Sequence, residues 1–280
     1  MCDKKLKMDW VEFVFELKDE DSFKDILIAR LSLLGFDSFD ESGNKLKGYI
    51  LNKNVTENFL EDLKILTCNK FKFSSLEDKN WNTLWESNFK PILIQDICFI
   101  RAPFHKKKDV EIDVLINPKM AFGTGHHETT RMMISEILNL NYLPKKVFDI
   151  GCGTGILSII SEKKWNCDVL ACDIDEWSIK NSKENIILNK CNKIKLIHGS
   201  VSQVKMFKYE LILANINTNV LLNELDLYYK FLELNGTLIL SGFLVKDYIK
   251  IYNKASECGF TFVHKKEENK WNCIVLRKSI

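Results

Sequence analysis

A chain of 280 residues is long enough for two modest domains, or for a catalytic domain with a substantial addition. Hydrophobic residues make up 46% and charged residues 28%, a balance that provides a large apolar core and excludes an intrinsically disordered chain. The formal net charge of +2, from 40 basic and 38 acidic residues, argues against a long-range field that draws the chain onto nucleic acid or an anionic membrane.

The cysteines and the lack of long apolar runs bear on where the chain works. None of the nine cysteines shows the Cys-x-x-Cys spacing that places two thiolates on one metal, so we expect them to be reduced and mostly buried. Residues 1–9 lack the apolar stretch of a secretory signal, and no apolar run approaches the roughly 18 to 20 residues that span a bilayer. We therefore expect a cytoplasmic protein without a membrane partner.

Residues 1–75 predict a small αβ domain. Apolar residues alternate in the strand patterns and recur at helical spacing between them, as at Phe23, Leu27 and Leu31. The predicted order is a strand over 8–17, a helix over 22–34 ended by Gly35, two short strands around a turn at 41–44, a helix near 56–66 and a strand over 70–75. This β-α-β-β-α-β order is that of the ferredoxin-like motif, and we expect the domain to recognise the substrate.

Residues 76–118 predict a connector with some structure of its own. Trp81 and Trp85 stand four positions apart in a short helical pattern, and extended segments are predicted around 92–101 and 110–117. Tryptophans at this spacing more commonly pack against neighbouring side chains than stack on nucleic-acid bases. We therefore interpret Trp81 and Trp85 as packing residues.

Strand and helix patterns alternate regularly from about residue 146 onward. Strands are predicted near 146–150, 168–173, 193–198, 209–215 and 237–243, each followed by a helical pattern except, less clearly, the third. This alternation is typical of a parallel sheet with helices on both faces. Two further strand patterns at 260–266 and 271–277, joined by a charged turn, predict an antiparallel hairpin that closes the sheet.

The turn after the first of these strands carries the main functional signal. It reads Asp149-Ile-Gly-Cys-Gly-Thr-Gly155, and ligands of open parallel sheets bind beyond the carboxyl ends of the strands. Its three glycines allow the backbone to approach a ligand closely. The dinucleotide fingerprint needs a glycine at position 156, where Ile156 stands, so the spacing argues against a nicotinamide-dependent dehydrogenase.

An acidic residue ends the next predicted strand. Asp173 follows Gly155 by 18 positions and is placed to accept hydrogen bonds from both hydroxyls of a ribose. The alternative is that Asp173 and Asp175 only cap the helix that starts near Glu176. Together with the glycine loop, Asp173 favours a cofactor that contains an unphosphorylated ribose.

These residues resemble the class I methyltransferases, in which an acidic residue precedes G-x-G-x-G and an antiparallel hairpin ends the sheet. A narrower resemblance, covering nearly the whole chain, is to the PrmA-type methyltransferases, which modify protein eleven of the large ribosomal subunit. It is carried by Asn117-Pro-Lys-Met-Ala-Phe-Gly-Thr-Gly-His-His-Glu-Thr-Thr130, Trp85, Phe89-Lys-Pro91 and Ala214-Asn-Ile216. The chain differs from the commoner family pattern at His126 and Glu128. The most specific part is Phe122-Gly-Thr-Gly125 followed by Thr129-Thr130.

The resemblance implies a fold and a cofactor. The fold is a Rossmann-like α/β class I methyltransferase domain over residues 119–280, with a seven-stranded sheet and a C-terminal antiparallel hairpin. The small ferredoxin-like α+β domain precedes it. The implied cofactor is S-adenosyl-L-methionine, which agrees with the unphosphorylated ribose expected from Asp173.

The resemblance also implies site residues. Those implied to contact the cofactor are Thr130, Gly151, Asp173 and Asn215. The loop residues Asp149 and Gly153 complete the predicted cofactor site. Asn215, at the end of the fourth strand, is also the expected catalytic residue, because its amide can hold the incoming amine. The alternatives are that Asn215 caps the following helix and that the Thr130 hydroxyl bonds within its own helix.

The implied substrate is a large-subunit ribosomal protein, methylated on lysine side chains and, as a second target, the N-terminal amine. Enzymes that methylate planar nitrogens commonly carry Asn/Asp-Pro-Pro-aromatic after the fourth strand, whereas this chain reads Asn215-Ile-Asn-Thr. The alternatives are a methyltransferase acting on another protein, nucleic acid or small molecule, and a non-catalytic ribosome-binding module. We expect a monomer with no metal at His126 and His127 and no direct binding of nucleic acid.

Overall fold

The computed structural model describes residues 10–16, 27–28, 30–32, 34–42, 45–67, 70–75, 90–117, 123–205 and 207–279. The chain divides into two units, residues 1–87 and 88–280. The helix expected around Trp81 and Trp85 lies outside the described residues, as do Phe89 and Phe122 of the family pattern.

An antiparallel four-stranded sheet forms the centre of the first unit. Its elements are β1 (Trp10–Glu16), β2 (Ser38–Ser42), β3 (Lys45–Leu51), α1 (Glu57–Thr67) and β4 (Phe71–Ser75). Within the helix expected over 22–34, residues 27–28 and 30–32 are described and helical. The strand order β2-β3-β1-β4 is that of the ferredoxin-like motif, so this part of the predicted fold class is confirmed.

Alternating side chains along β1 build the core of the first unit. Val11, Phe13 and Phe15 point to one face of the sheet and are buried. The ring of Phe13 meets those of Phe36 and Phe59 edge-on, with centroids 5.4 and 5.8 Å apart. Because Phe59 belongs to α1, these contacts fix the helix against the sheet.

The second unit contains ten strands and five helices within the part of the chain that the structure describes. The strands are β5 (Ile92–Ile94), β6 (Cys98–Arg101), β7 (Ile112–Leu115), β8 (Lys146–Ile150), β9 (Asp168–Asp173), β10 (Ile194–His198), β11 (Tyr209–Asn215), β12 (Leu232–Leu244), β13 (Phe260–Glu268) and β14 (Trp271–Lys278). The helices are α2 (Glu128–Asn139), α3 (Ile156–Trp165), α4 (Glu176–Leu188), α5 (Thr218–Phe231) and α6 (Tyr248–Glu257).

Seven of these strands form one sheet in the order β10-β9-β8-β11-β12-β14-β13. The five strands from β10 to β12 run parallel, and β14 pairs antiparallel with both β12 and β13. The class I methyltransferase architecture, including its closing hairpin, is therefore confirmed. The weak helical pattern after the third strand corresponds to a short 3-10 turn at Val201–Gln203.

Both faces of this sheet are covered, which explains the near-continuous apolar sequence of β11. Leu211 and Leu213 face a core built with α2 and α3, whereas Ile212 and Ala214 face a core built with α5 and α6. All four side chains are fully buried. A strand buried on both faces is typical of parallel sheets flanked by helices.

Residues 90–117 form a separate three-stranded sheet in the order β5-β6-β7. Ile100 and Val114 of this sheet share a hydrophobic core with Met133 of α2 and Ile159 of α3. Thus the described second half of the predicted connector packs into the second unit. The assignment of residues 1–75 to substrate recognition stays a prediction.

The sequence predicts reduced, mostly buried cysteines and no segment that spans a membrane. Seven cysteines lie in the described ranges, all of them free thiols and five of them buried. Burial raises the pKa of Cys98, Cys167 and Cys172 to about 12, so these thiols stay protonated at neutral pH. No described helix is both long and apolar enough to cross a membrane.

Candidate active site

A cavity of about 660 Å³ opens beyond the carboxyl ends of β8, β9 and β11. Its walls contain the predicted site residues Thr130, Gly151, Gly153, Asp173 and Asn215. These side chains and loop residues come from separate parts of the chain and meet because parallel strands end at the same edge of the sheet. The remaining predicted residue, Asp149, lies buried in β8 just before the loop.

The glycine loop is held close to its neighbours by conformations that only glycine adopts easily. Gly151 has φ 69°, in the left-handed region, and a Cβ added there would lie 2.3 Å from Cγ2 of Ile216. The backbone N–H groups of Gly151 and Cys152 both donate to the carbonyl oxygen of Cys172, at 2.9 and 3.1 Å. The loop is therefore pinned to the end of β9, with its glycine surface facing the cavity.

The Asp173 carboxylate links the glycine loop to the start of α4. Its Oδ2 accepts from the N–H of Gly153 at 2.9 Å, and its Oδ1 accepts from the N–H of Asp175 at 3.0 Å. Asp175 is the residue that caps α4, since its carboxylate accepts from the N–H and hydroxyl of Ser178, both at 2.9 Å. These bonds lower the pKa of Asp175. The capping alternative thus applies to Asp175 and not to Asp173.

Asn215 ends β11 at the cavity wall, and its amide nitrogen donates to the hydroxyl of Thr130 at 3.4 Å. The cap of α5 is Asn217, whose side chain accepts from the N–H of Val220 at 3.1 Å. The capping alternative for Asn215 is therefore wrong in this structure. Thr130 is 2% exposed, which fixes the position of the hydroxyl that Asn215 meets.

The backbone that follows Asn215 has glycines on two sides. Besides Gly151, Gly242 has φ 88°, and a Cβ there would lie 2.4 Å from the carbonyl oxygen of Ile216. Any side chain at either glycine would displace Ile216 and with it Asn215. The two glycines thus determine where the Asn215 amide stands in the cavity wall.

Asp149 is 1% exposed and only partly satisfied by hydrogen bonds. Its Oδ2 accepts from the hydroxyl and N–H of Ser158, at 2.6 and 3.2 Å, whereas Oδ1 has no partner among the described residues. Burial is the largest effect on this group and raises the pKa of its carboxyl to about 7. A buried polar atom without a partner is uncommon in folded proteins.

We expect Asp149→Asn to change how the free energy of unfolding depends on pH. The carboxyl has a pKa of about 7 when folded and an ordinary value of 3.8, so its stabilising contribution is present at low pH and lost as the pH rises through 7. Asparagine keeps an oxygen for Ser158 and does not titrate. Relative to the unaltered chain, the variant should gain roughly 2 to 3 kcal/mol between pH 5 and pH 8, measured by urea unfolding. A stability difference that is the same at both pH values would contradict this.

Comparison with known proteins identifies the family. A family model described as ribosomal protein L11 methyltransferase (PrmA) matches residues 18–279. The chain belongs to this family. One relative with this description is the protein of Bacteroides thetaiotaomicron, which is 39% identical over 95% of this chain and 99% of the relative. Another is the protein of Porphyromonas gingivalis, which is 38% identical over 94% of this chain and 96% of the relative.

A solved structure agrees with this family assignment. The structure of ribosomal protein L11 methylase from Lactobacillus delbrueckii subsp. bulgaricus is 26% identical, covers 69% of this chain and 99% of that chain, and has a TM-score of 0.64. The resemblance found in the sequence is thereby confirmed. The chain is a methyltransferase of the PrmA family.

Other cavity residues of this PrmA family member were missed by sequence reasoning. His127 caps α2, and its ring lies edge-on to Trp271 with centroids 4.8 Å apart. Glu224 of α5 also lines the cavity and accepts a hydrogen bond from the hydroxyl of Tyr228 at 2.7 Å. Val220 and Glu224 both line the cavity and stand four positions apart, so helical spacing could have indicated Glu224. No local signal links Trp271 to His127.

The sequence predicts no metal at His126 and His127, and this stays a prediction. Among the side chains that the structure describes, no group of three or more His, Cys, Asp or Glu residues could hold a metal ion. The Nε2 atom of His126 lies 2.9 Å from the carbonyl oxygen of Lys90, whereas Nδ1 of His127 accepts from the N–H of Thr129 at 3.3 Å. The two adjacent imidazoles therefore use their nitrogens in different local contacts.

Proposed function

We propose that this chain uses S-adenosyl-L-methionine to methylate amino groups of ribosomal protein L11, on lysine side chains and the N-terminal amine. The observation that carries the proposal is the family match over residues 18–279. The cavity supports it, because one wall combines a glycine loop, a carboxylate at the second strand end and an amide at the fourth. A ribosomal protein substrate is also consistent with the cytoplasmic location expected from the sequence.

The cavity residues fit the proposed cofactor in shape and chemistry. The glycine surface at Gly151 and Gly153 allows close approach of a ligand, and the Asp173 carboxylate has lone pairs left to accept ribose hydroxyls. Ile156, Leu157 and Val201 provide apolar surface along the walls.

When bound, S-adenosyl-L-methionine supplies an activated methyl group, so the protein's task is to position the amine and exclude water. No described residue donates to the amide oxygen of Asn215, which leaves it to accept a hydrogen from the amine. A lysine amine has an ordinary pKa of about 10.4, and the apolar walls favour its neutral, nucleophilic form. Thr130 fixes the rotation of the Asn215 amide through their hydrogen bond.

Methylation of purified L11 with labelled S-adenosylmethionine, followed by mass spectrometry of its peptides, tests the proposed function. We expect label on lysine side chains or the N-terminal amine of L11. L11 with all amines acetylated is the control and should accept no methyl group. Labelling of the acetylated protein, or no labelling of L11 by a chain that binds the cofactor, would contradict the substrate assignment.

We expect Asp173→Ala to weaken S-adenosylmethionine binding at least about tenfold without unfolding the chain, because each lost charge-assisted hydrogen bond contributes roughly 1.5 to 3 kcal/mol. Isothermal titration calorimetry measures the affinity. Asp175→Ala is the matched control: it removes a neighbouring carboxylate that also lines the cavity but caps α4 with both of its oxygens, so it should weaken binding much less. Equal losses in both variants, or none in Asp173→Ala, would show that Asp173 does not hold the ribose.

A further inference from the structure

One carboxylate in the cavity wall has no role in the proposed function. Glu224 of α5 lines the cavity, and its Oε2 accepts from the hydroxyl of Tyr228 at 2.7 Å. Among the described residues, none donates a hydrogen bond to Oε1, and no basic side chain forms an ion pair with this carboxylate. Ligand cavities are mostly apolar, and their few polar groups commonly determine how a ligand is oriented and which ligand is accepted.

Tyr228 holds the Glu224 side chain in one position. Tyr228 is fully buried, and burial together with the charge of Glu224 raises the pKa of its hydroxyl well above the ordinary value of 10.0. The hydroxyl therefore keeps its proton at neutral pH and donates it to Oε2. Because the buried tyrosine occupies Oε2, Oε1 is the oxygen that stays available to a ligand.

Glu224 lies towards the β10 edge of the sheet. The helix α5 packs against the 3-10 turn Val201–Gln203, which follows β10. Leu225, the next residue along α5, belongs to the same hydrophobic core as Cys172 of β9. Asn215 ends β11, which is two strands away from β9 on the other side. Glu224 is therefore separated from Asn215 by the strand end at which the ribose carboxylate stands.

This position corresponds to the base of the proposed cofactor. With the ribose at Asp173 and the methyl group at Asn215, the base extends towards the residues that follow β10. Ile174, Val201 and Val220 line the cavity and provide apolar surface for a flat ring. Adenine carries one exocyclic amine, which donates hydrogen bonds, beside ring nitrogens that accept them. An ionised carboxylate only accepts, so the amine is the group of adenine that it can bind.

We propose that Glu224 determines the specificity of the cofactor site for adenine, with Oε1 accepting a hydrogen bond from the exocyclic amine of the base. The inference rests on the proposed cofactor and goes beyond it, because it names the residue that distinguishes adenine from other purines. Hypoxanthine has a carbonyl oxygen in place of the amine, so two acceptors would face each other. A site that binds an N–H group rejects an analogue without it, since the polar group of the site then loses its partner.

Calorimetry on the full chain tests this assignment with S-adenosylhomocysteine and with S-inosylhomocysteine, whose base is hypoxanthine. We expect the unaltered chain to bind the adenosyl compound at least about a hundredfold more tightly. Glu224→Gln keeps the shape of the side chain, and Tyr228 can donate to its amide oxygen, which leaves the amide N–H groups for the ligand. These donors suit the hypoxanthine oxygen, so the preference for adenine should fall at least about tenfold.

Asp226→Asn is the matched control. Asp226 lies on the same helix and pairs with Lys254 at 2.9 Å, and it is not among the residues that line the cavity. This variant should keep the preference of the unaltered chain. Hypoxanthine also differs from adenine at the neighbouring ring nitrogen, so the change in preference between variant and unaltered chain is the quantity that measures the role of Glu224.

Glu224→Ala, which removes the acceptor altogether, is the second variant and should also lower the preference for adenine. An unchanged preference in both Glu224 variants, or an equal fall in Asp226→Asn, would overturn the assignment. Equally tight binding of the two compounds by the unaltered chain would overturn it as well and leave the proposed cofactor standing. Failure of the unaltered chain to bind S-adenosylhomocysteine would instead overturn the proposed cofactor.

Discussion

A fragment of residues 88–280 is expected to bind S-adenosylmethionine as tightly as the full chain but to methylate L11 at least about a hundredfold more slowly. The fragment should fold, because the described buried residues of its two hydrophobic cores all lie within 94–276. The first unit carries its own core around Phe13 and Leu63, and none of its described residues lines the cavity. If it binds the substrate, the tether raises the local concentration of target amines near the cavity.

The experiment compares fragment and full chain on two substrates. Calorimetry measures cofactor affinity, and mass spectrometry measures methylation of intact L11 and of a short lysine peptide from it. The peptide, too small to use both units, should be methylated equally by both proteins. Equal rates on intact L11 would refute the recognition role of residues 1–75, and weak cofactor binding by the fragment would show that the first unit supports the cavity itself.

Asn215→Ala is expected to lower the single-turnover rate of methyl transfer by about a hundredfold, while cofactor affinity falls less than about threefold. The variant removes the amide that we propose holds the amine and leaves Gly151 and Asp173 in place. The backbone at Ile216 stays fixed between two glycines, so the loss is confined to the side chain. Rapid-quench kinetics at saturating cofactor measure the transfer step.

Asn217→Ala is the matched control, since Asn217 caps α5 two residues further along the same turn. Its replacement removes a hydrogen bond to the helix backbone and should lower stability more than the transfer rate. An unchanged rate in Asn215→Ala would show that Asn215 does not hold the amine and only forms its hydrogen bond with Thr130. Similar rate losses in both variants would show that the rate depends on the conformation of the turn and not on a contact between Asn215 and the amine.

The sequence alone determined the architecture, because the signals that specify it are local. Leu211 to Ala214 read as a continuous apolar strand, which requires a sheet covered on both faces. The charged turn between β13 and β14 leaves no room for a helix, so an antiparallel hairpin follows. Likewise, Gly151 and Gly153 were identifiable as a ligand loop because the backbone conformation they permit is a property of the residue itself.

Tertiary structure decided which of several equivalent polar side chains does what. Asp173 and Asp175 are both possible caps by sequence, as are Asn215 and Asn217, because each pair has the same chemistry two positions apart. The hydrogen bonds of the structure separate the members of each pair. The side chains of Asp175 and Asn217 accept from N–H groups of the first turns of α4 and α5, and those of Asp173 and Asn215 do not, although all four residues line the cavity.

Contacts between distant segments were also beyond the sequence. Trp271 meets His127, and Asn185 joins Asn117 to Thr154, only because packed helices and strands bring them together. Residues 90–117 looked like a connector because their short strands carry weak patterns, yet their apolar side chains complete the core under α2 and α3. Local propensity specifies the elements, whereas the partners of a buried polar group depend on how those elements pack.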